Sequence, residues 1–128
     1  MEDSIKDRKG MKKKRDTSFL KQNLIAHCGV HNLKKGIPEN SLLAFDLAKK
    51  QMYSIELDLH LLKDNQVVVF HDDHLKRMTG VNKKIKDCTY QEIKELKLAN
   101  TNESIPLLEE VLNLVKGEVP LLIELKYD

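Results

Sequence analysis

With 128 residues the chain makes one domain at most. A hydrophobic share of 41% and a charged share of 33% suit a soluble globular chain with a modest core. No apolar run approaches the roughly 18 residues of a membrane span, so no transmembrane segment is expected. The net charge of +2 is unevenly spread: residues 1–23 carry eight Lys/Arg and four Asp/Glu, and the remainder is mildly acidic. Residues 1–23 therefore read as a disordered basic tail and 24–128 as the folded part. The Lys12-Lys13-Lys14-Arg15 run has no interleaved aromatics, which argues against a nucleic-acid partner. No apolar stretch of signal-peptide length follows Met11, so a cytoplasmic location is expected. Cys28 and Cys88 have neither metal-ligand spacing nor the pattern of a disulfide framework.

In chain order, Leu24-Ile25-Ala26 reads as a buried strand delivering His27 to its end. Gly36, Pro38 and Asn40 punctuate a loop. A helix is expected from about Ser41 to Gln51, capped by Asn40 or Ser41, with Phe45, Ala48 and Met52 as its apolar stripe. The stretch Tyr53–His60 alternates, which puts Glu56, Asp58 and His60 on one face of a strand and Ile55, Leu57 and Leu59 on the other. Carboxylates two residues apart on a strand, about 6–7 Å, can converge on one hard cation.

A turn at Lys63–Gln66 leads into Val67-Val68-Val69-Phe70 and then His71-Asp72. The distance from Asp58 to His71 is too short for a crossover helix, so an extended or irregular return without a helix is expected. Thr89-Tyr90-Gln91-Glu92 has capping-box spacing and predicts a helix to about Leu98. Pro106 opens another helix with Leu108, Val111, Leu112 and Val115 as its stripe and Gly117 as its end. Leu121–Lys126 reads as a last buried strand. Apolar strands linked by helices predict a parallel sheet covered on its faces. Four strands end in ionisable groups, and the ends of parallel strands in such a sheet open on one side, where active sites are built.

These segments, taken together, resemble one family. His27-x-Gly29, Pro38-Glu39-Asn40-Ser41, Glu56-x-Asp58, His71-Asp72, Leu75-x-Arg77-x-Thr79-Gly80, Thr89-Tyr90-x-Glu92-Ile93, Ile105-Pro106 and Glu124-x-Lys126 occur in the order and rough spacing of the glycerophosphodiester phosphodiesterases. The resemblance covers residues 24–128. It implies an α/β fold, the N-terminal half of a TIM-type (β/α)8 barrel, with about four parallel strands and flanking helices. It implies metal-dependent hydrolysis of glycerophosphodiesters to sn-glycerol 3-phosphate and an alcohol. By the same match Glu56, Asp58 and Glu124 would hold Mg2+ or Ca2+, His27 and His71 would form the acid/base pair, and Lys126 would contact the phosphate. Three carboxylates placed together repel unless a cation or protons compensate them. Two histidines suit proton transfer near neutral pH.

The family pattern is departed from at Cys28, where it has an Arg that would bind phosphate through a planar fork. A barrel of this type takes about 250 residues, so a truncated, impaired enzyme is expected, needing a homodimer or a complementing second half-barrel. Val67, Val69 and Leu122 are expected to face side chains of further strands. An inactive half-barrel remnant acting as an interaction module is the alternative, as is another barrel phosphodiesterase related to phosphatidylinositol-specific phospholipase C or sphingomyelinase D. His31, His60 and His74 read as satisfied loop histidines, Cys88 as core filler, Asp72 and Arg77 as residues that order the loop, and Glu39 as a supporting group or a helix-start residue.

Overall fold

A computed structural model of the protein describes residues 5–7 and 24–126. The Lys12–Arg15 run and most of the expected tail lie outside the described residues. Three residues of that stretch, β1 (Ile5–Asp7), pair antiparallel with β2 (Leu24–His27). β3 (Ser54–Leu61) is the centre of the sheet. It pairs in parallel with β2 and with β5 (Leu121–Leu125), and antiparallel with β4 (Val67–Val69). No helix among the described residues is long and apolar enough to cross a membrane.

The register fixes how three strands share two edges of β3. Ile55 pairs with both Ala26 and Leu121, and Leu59 with both Val69 and Leu125. Since β5 runs along 55–59 on one edge, β2 and β4 must occupy successive lengths of the other. β2 arrives from one end and β4 from the opposite end, and they stop near Asp58. The bond from Cys28 N–H to the Glu56 carbonyl is 2.8 Å, and that from Phe70 N–H to the Asp58 carbonyl is 3.0 Å.

The sheet and its flanking helices are those expected, with one refinement. Of the roughly four parallel strands, β2, β3 and β5 are parallel, and β4 runs antiparallel in a hairpin with β3. The physical reason is the length of the link, residues 62–66. It closes as a turn, with Asn65 N–H donating to the Leu62 carbonyl and Asn65 at a left-handed φ of 67°. A parallel return needs a far longer crossover.

One core lies on the Ile55/Leu57/Leu59 face of β3, against α1 (Leu42–Lys50) and α4 (Leu108–Val115). Full burial of each such aliphatic residue is worth about 1.5–3 kcal/mol. Ser41 caps α1: its Oγ accepts from Ala44 N–H at 3.1 Å and donates to the Pro38 carbonyl at 2.7 Å. Val69 is fully buried in this core, and Val67 packs at its margin. Neither waits for a further strand, because the antiparallel turn aims Val69 at α4. Leu122 is half-buried, whereas Ile123 and Leu125 are exposed. Met52 lies beyond the end of α1 and is exposed, and Leu112 is on the solvent side of α4.

A second core, built from Val68, Phe70, Leu75, Ile85, Ile93 and their neighbours, fills the space behind the β4 turn. Short helices α2 (Lys76–Thr79) and α3 (Tyr90–Ile93) border it. The capping box of Thr89 and Glu92 forms as expected. The helix nevertheless ends at Ile93 rather than Leu98, because both Ile93 and Leu98 are buried in this core. In a continued helix they would point about 140° apart.

Gly29 sits where β2 leaves the sheet and touches α1. Its φ is +84°, and a Cβ there would lie 2.8 Å from both the carbonyl carbon and the Cβ of Ala44. Gly36 has φ +74° with open space around the same position. Gly36→Ala is therefore expected to cost only the left-handed strain. Gly29→Ala should cost a further ~1–3 kcal/mol of overpacking, read by urea unfolding of the two variants side by side.

Candidate active site

The polar face of β3 collects side chains from both its edges. Glu124 pairs with Asp58 across β5, and His27 pairs with Glu56 across β2, so all four project from one face. One oxygen each of Glu56, Asp58 and Glu124 lies within 4.8 Å of the others. Asp58 is 1% exposed. Lys126, just past β5, brings its Nζ to 3.9 Å from Asp58 Oδ1 and 3.4 Å from Glu124 Oε2. Its backbone N–H is held by the Leu59 carbonyl at 2.9 Å. His27 Nε2 is 3.5 Å from Glu56 Oε1.

Three carboxylates thus face one ammonium across a partly water-excluded space. Burial, with the neighbouring Asp58, pushes the Glu56 carboxyl above the usual carboxylate range. Burial works against the charge of Lys126, but Asp58 and Glu124 outweigh it and raise its pKa. An all-oxygen donor set with surplus negative charge fits a hard divalent cation.

Cys28 occupies the turn after β2 at φ 59° and is 3% exposed. Its Sγ is 3.7 Å from Asp58 Oδ2 and 3.9 Å from Glu56 Oε1. Burial and these two carboxylates push the thiol well above its ordinary range, so without a cation it stays protonated. It carries no positive charge towards a phosphate.

His71 stands in a second, adjoining set. Its Nδ1 is 2.8 Å from Asp72 Oδ1. Arg77 spans two acids: Nε and Nη2 donate to Asp72 at 2.9 and 3.0 Å, and Nη1 and Nη2 donate to Glu39 at 3.3 and 2.7 Å. The Arg77 bonds hold the Asp72 carboxyl down to about 2. The negative charge of Glu39 also reaches Cys28. Buried His60 supports the turn from below, its Nε2 lying 3.3 Å from the His71 carbonyl oxygen.

The structure therefore gathers His27, Cys28, Glu56, Asp58, Glu124 and Lys126 into one set, and holds His71 beside it on Asp72. The rings of His27 and His71 are 40% and 45% exposed, open to a ligand. His74 Nδ1 accepts from Lys76 N–H, and Cys88 is buried with its Sγ on the Lys84 carbonyl. Ser41 takes the helix cap that Asn40 also offered, and the contacts of Asn40 are ones the sequence does not show. Its backbone N–H donates to the Cys28 carbonyl at 2.8 Å, and its buried side-chain amide has no hydrogen-bond partner among the described residues. Its left-handed φ is common for Asn, but neither that conformation nor its burial is readable from the sequence.

Comparison with known proteins matches residues 31–128 to the glycerophosphoryl diester phosphodiesterase family. A glycerophosphodiester phosphodiesterase of Bacillus altitudinis is 36% identical over 110 residues, covering 80% of this chain and 44% of that protein. Lysophospholipase D GDPD1 of Rattus norvegicus is 39% identical over 101 residues, covering 69% and 32%. Among solved structures, an Oleispira antarctica phosphodiesterase in complex with the product sn-glycerol-3-phosphate superposes with TM-score 0.71 at 33% identity, covering 80% of this chain and 43% of that one. A glycerophosphodiester phosphodiesterase from Agrobacterium tumefaciens gives 0.72 at 30%, covering 80% and 46%. The chain spans under half the length of the curated relatives it matches.

Asp72 gives a pH test of the second set. A carboxyl held low in the fold contributes stability that is fully present above the unfolded-state range, near pH 4, and is lost as pH falls towards 2. Arg77→Met should raise the Asp72 titration, followed by carboxyl NMR, part of the way towards pH 4, with His71 still holding it down, and weaken that acid-limb stability. An unchanged titration would mean that His71 alone holds Asp72.

Proposed function

The chain belongs to the glycerophosphoryl diester phosphodiesterase family, and from that premise we propose that it carries the metal-binding and proton-transfer half of a glycerophosphodiester hydrolase site. The reaction is cleavage to sn-glycerol 3-phosphate and an alcohol. The observation that carries this reading is the convergence of Glu56, Asp58 and Glu124 within 4.8 Å beside Lys126 and His27.

Glu56, Asp58 and Glu124 would hold the divalent ion, Mg2+ or Ca2+. When bound, that ion supplies charge to polarise the phosphoryl oxygens. Lys126 adds a positive group, steadied by Asp58 and Glu124, for the charge that develops on the phosphate. His27 and His71 serve as the acid/base pair, one taking the proton of the attacking oxygen and the other giving one to the departing alkoxide. Asp72, itself clamped by Arg77, accepts from His71 Nδ1–H and so leaves Nε2 free to exchange the proton. Arg77 and Glu39 are positioning residues that hold this pair beside the carboxylates.

Cys28 favours a second reading, a weak or inactive member of the family. The family's Arg would supply a fork of donors to the phosphate, whereas a protonated thiol offers one weak donor, turned here towards Glu56 and Asp58. Exposed Ile123 and Leu125 on β5 suit packing against a further element, from a second copy or a complementing half-barrel.

The experiment is release of glycerol 3-phosphate from glycerophosphocholine by the purified protein with Mg2+ or Ca2+. His27→Ala and His71→Ala are each expected to lower kcat/KM about 10²–10⁴-fold. Cys28→Arg should raise the rate, by up to about 10²–10³-fold if the lost donor is worth an oxyanion contact. Equal rates for Cys28 and Cys28→Arg proteins would mean that another group already binds the phosphate. Activity indifferent to both histidines would overturn the acid/base assignment.

A further inference from the structure

The end of β2 places two more donors against the carboxylates, and they differ from oxygen in chemistry. One atom each of His27, Cys28 and Glu56 lies within 4.8 Å of the other two. We propose that His27, Cys28 and Glu56 form a mixed nitrogen, sulfur and oxygen position that takes a thiophilic divalent ion, Zn2+, in preference to Mg2+ or Ca2+.

The separations fit such an ion. Zinc bonds of about 2.0–2.3 Å set tetrahedral ligand–ligand edges of about 3.3–3.8 Å. His27 Nε2 to Glu56 Oε1 is 3.5 Å, inside that range, and Cys28 Sγ to Glu56 Oε1 is 3.9 Å, just beyond it. The backbone that carries the thiol is held in place. Cys28 N–H is bound to the Glu56 carbonyl and its carbonyl to Asn40 N–H, both at 2.8 Å, and the residue is buried. Soft thiolate and imidazole donors select zinc-like ions, whereas Mg2+ and Ca2+ take oxygen. Glu124 lies across Asp58 on the other edge of β3, so the all-oxygen triad and this position share Glu56 and no other ligand.

On binding, the Sγ–H bond breaks, an Sγ–metal bond forms and the proton passes to water, with no change of oxidation state. Occupancy would engage His27 Nε2, withdrawing it from proton transfer. The inference shares residues with the hydrolase reading but does not rest on hydrolysis.

The test uses Co2+ as a coloured substitute for Zn2+ on the purified full chain. A thiolate-to-cobalt charge-transfer absorption is expected in the near ultraviolet. It should vanish in Cys28→Ser and persist in Cys88→Ser, whose sulfur has the Lys84 carbonyl as its partner. Zn2+ affinity, measured by competition with a chromophoric chelator, should fall at least 10–100-fold in Cys28→Ser while Ca2+ affinity is unchanged. Glu124→Gln should do the reverse, weakening Ca2+ and leaving the cobalt band, which separates this position from the oxygen triad. Failure of Co2+ to bind, Co2+ bound without the band, or Zn2+ held as tightly by a folded Cys28→Ser protein would overturn the proposal.

Discussion

Asp58 is a carboxylate almost sealed from water, with a second acid on each side and one ammonium for partial compensation. Removing a charge from water costs several kcal/mol unless something opposite pairs with it. The arrangement around β3 makes sense as a response to that cost. Glu56 meets it in part by a raised pKa, Lys126 by its charge, and a cation between the oxygens would meet most of what remains. The same requirement explains why the polar face of a central strand tolerates Glu56, Asp58 and His60, while its other face is wholly aliphatic.

The sheet topology brings the remaining groups to that charge. β2 and β4 run towards one another along a single edge of β3 and stop on either side of Asp58, so His27 and His71 arrive from opposite directions. β5 holds the other edge and supplies Glu124 and Lys126. Because the turn bearing His71 is short and exposed, it needs fixing from outside. Arg77 does this by joining Asp72 to Glu39, which lies 38 residues away in sequence. The second core, with Phe70, Leu75 and Ile85 fully or nearly buried, gives that turn a rigid floor.

The parts of this arrangement readable in the sequence are those set by local rules. Alternation along Tyr53–His60 fixes which side chains share a face, and Ser41 and the Thr89–Glu92 box cap their helices as their types require. The shortness of the link after β3 excludes a crossover. It does not say which edge β4 will take, since that depends on β5 holding the other one some sixty residues later. The early end of α3 and the burial of Val69 are likewise decided by packing rather than propensity. The Arg77 fork joins partners with no local signature. Cys28 is the reverse case: the departure from the family pattern is plain in the sequence, but only the fold shows its sulfur between Glu56 and Asp58.

If the acidic face of β3 holds a cation, the ion itself should be visible there. Anomalous diffraction from crystals grown with Mn2+, an ion that accepts the same oxygen ligands, tests this most directly. One strong peak is expected, bonded to oxygens of Glu56, Asp58 and Glu124 at about 2.0–2.6 Å. Ordered crystals with Mn2+ in the mother liquor, no peak at those residues, and Glu124 turned away from Asp58 would contradict it.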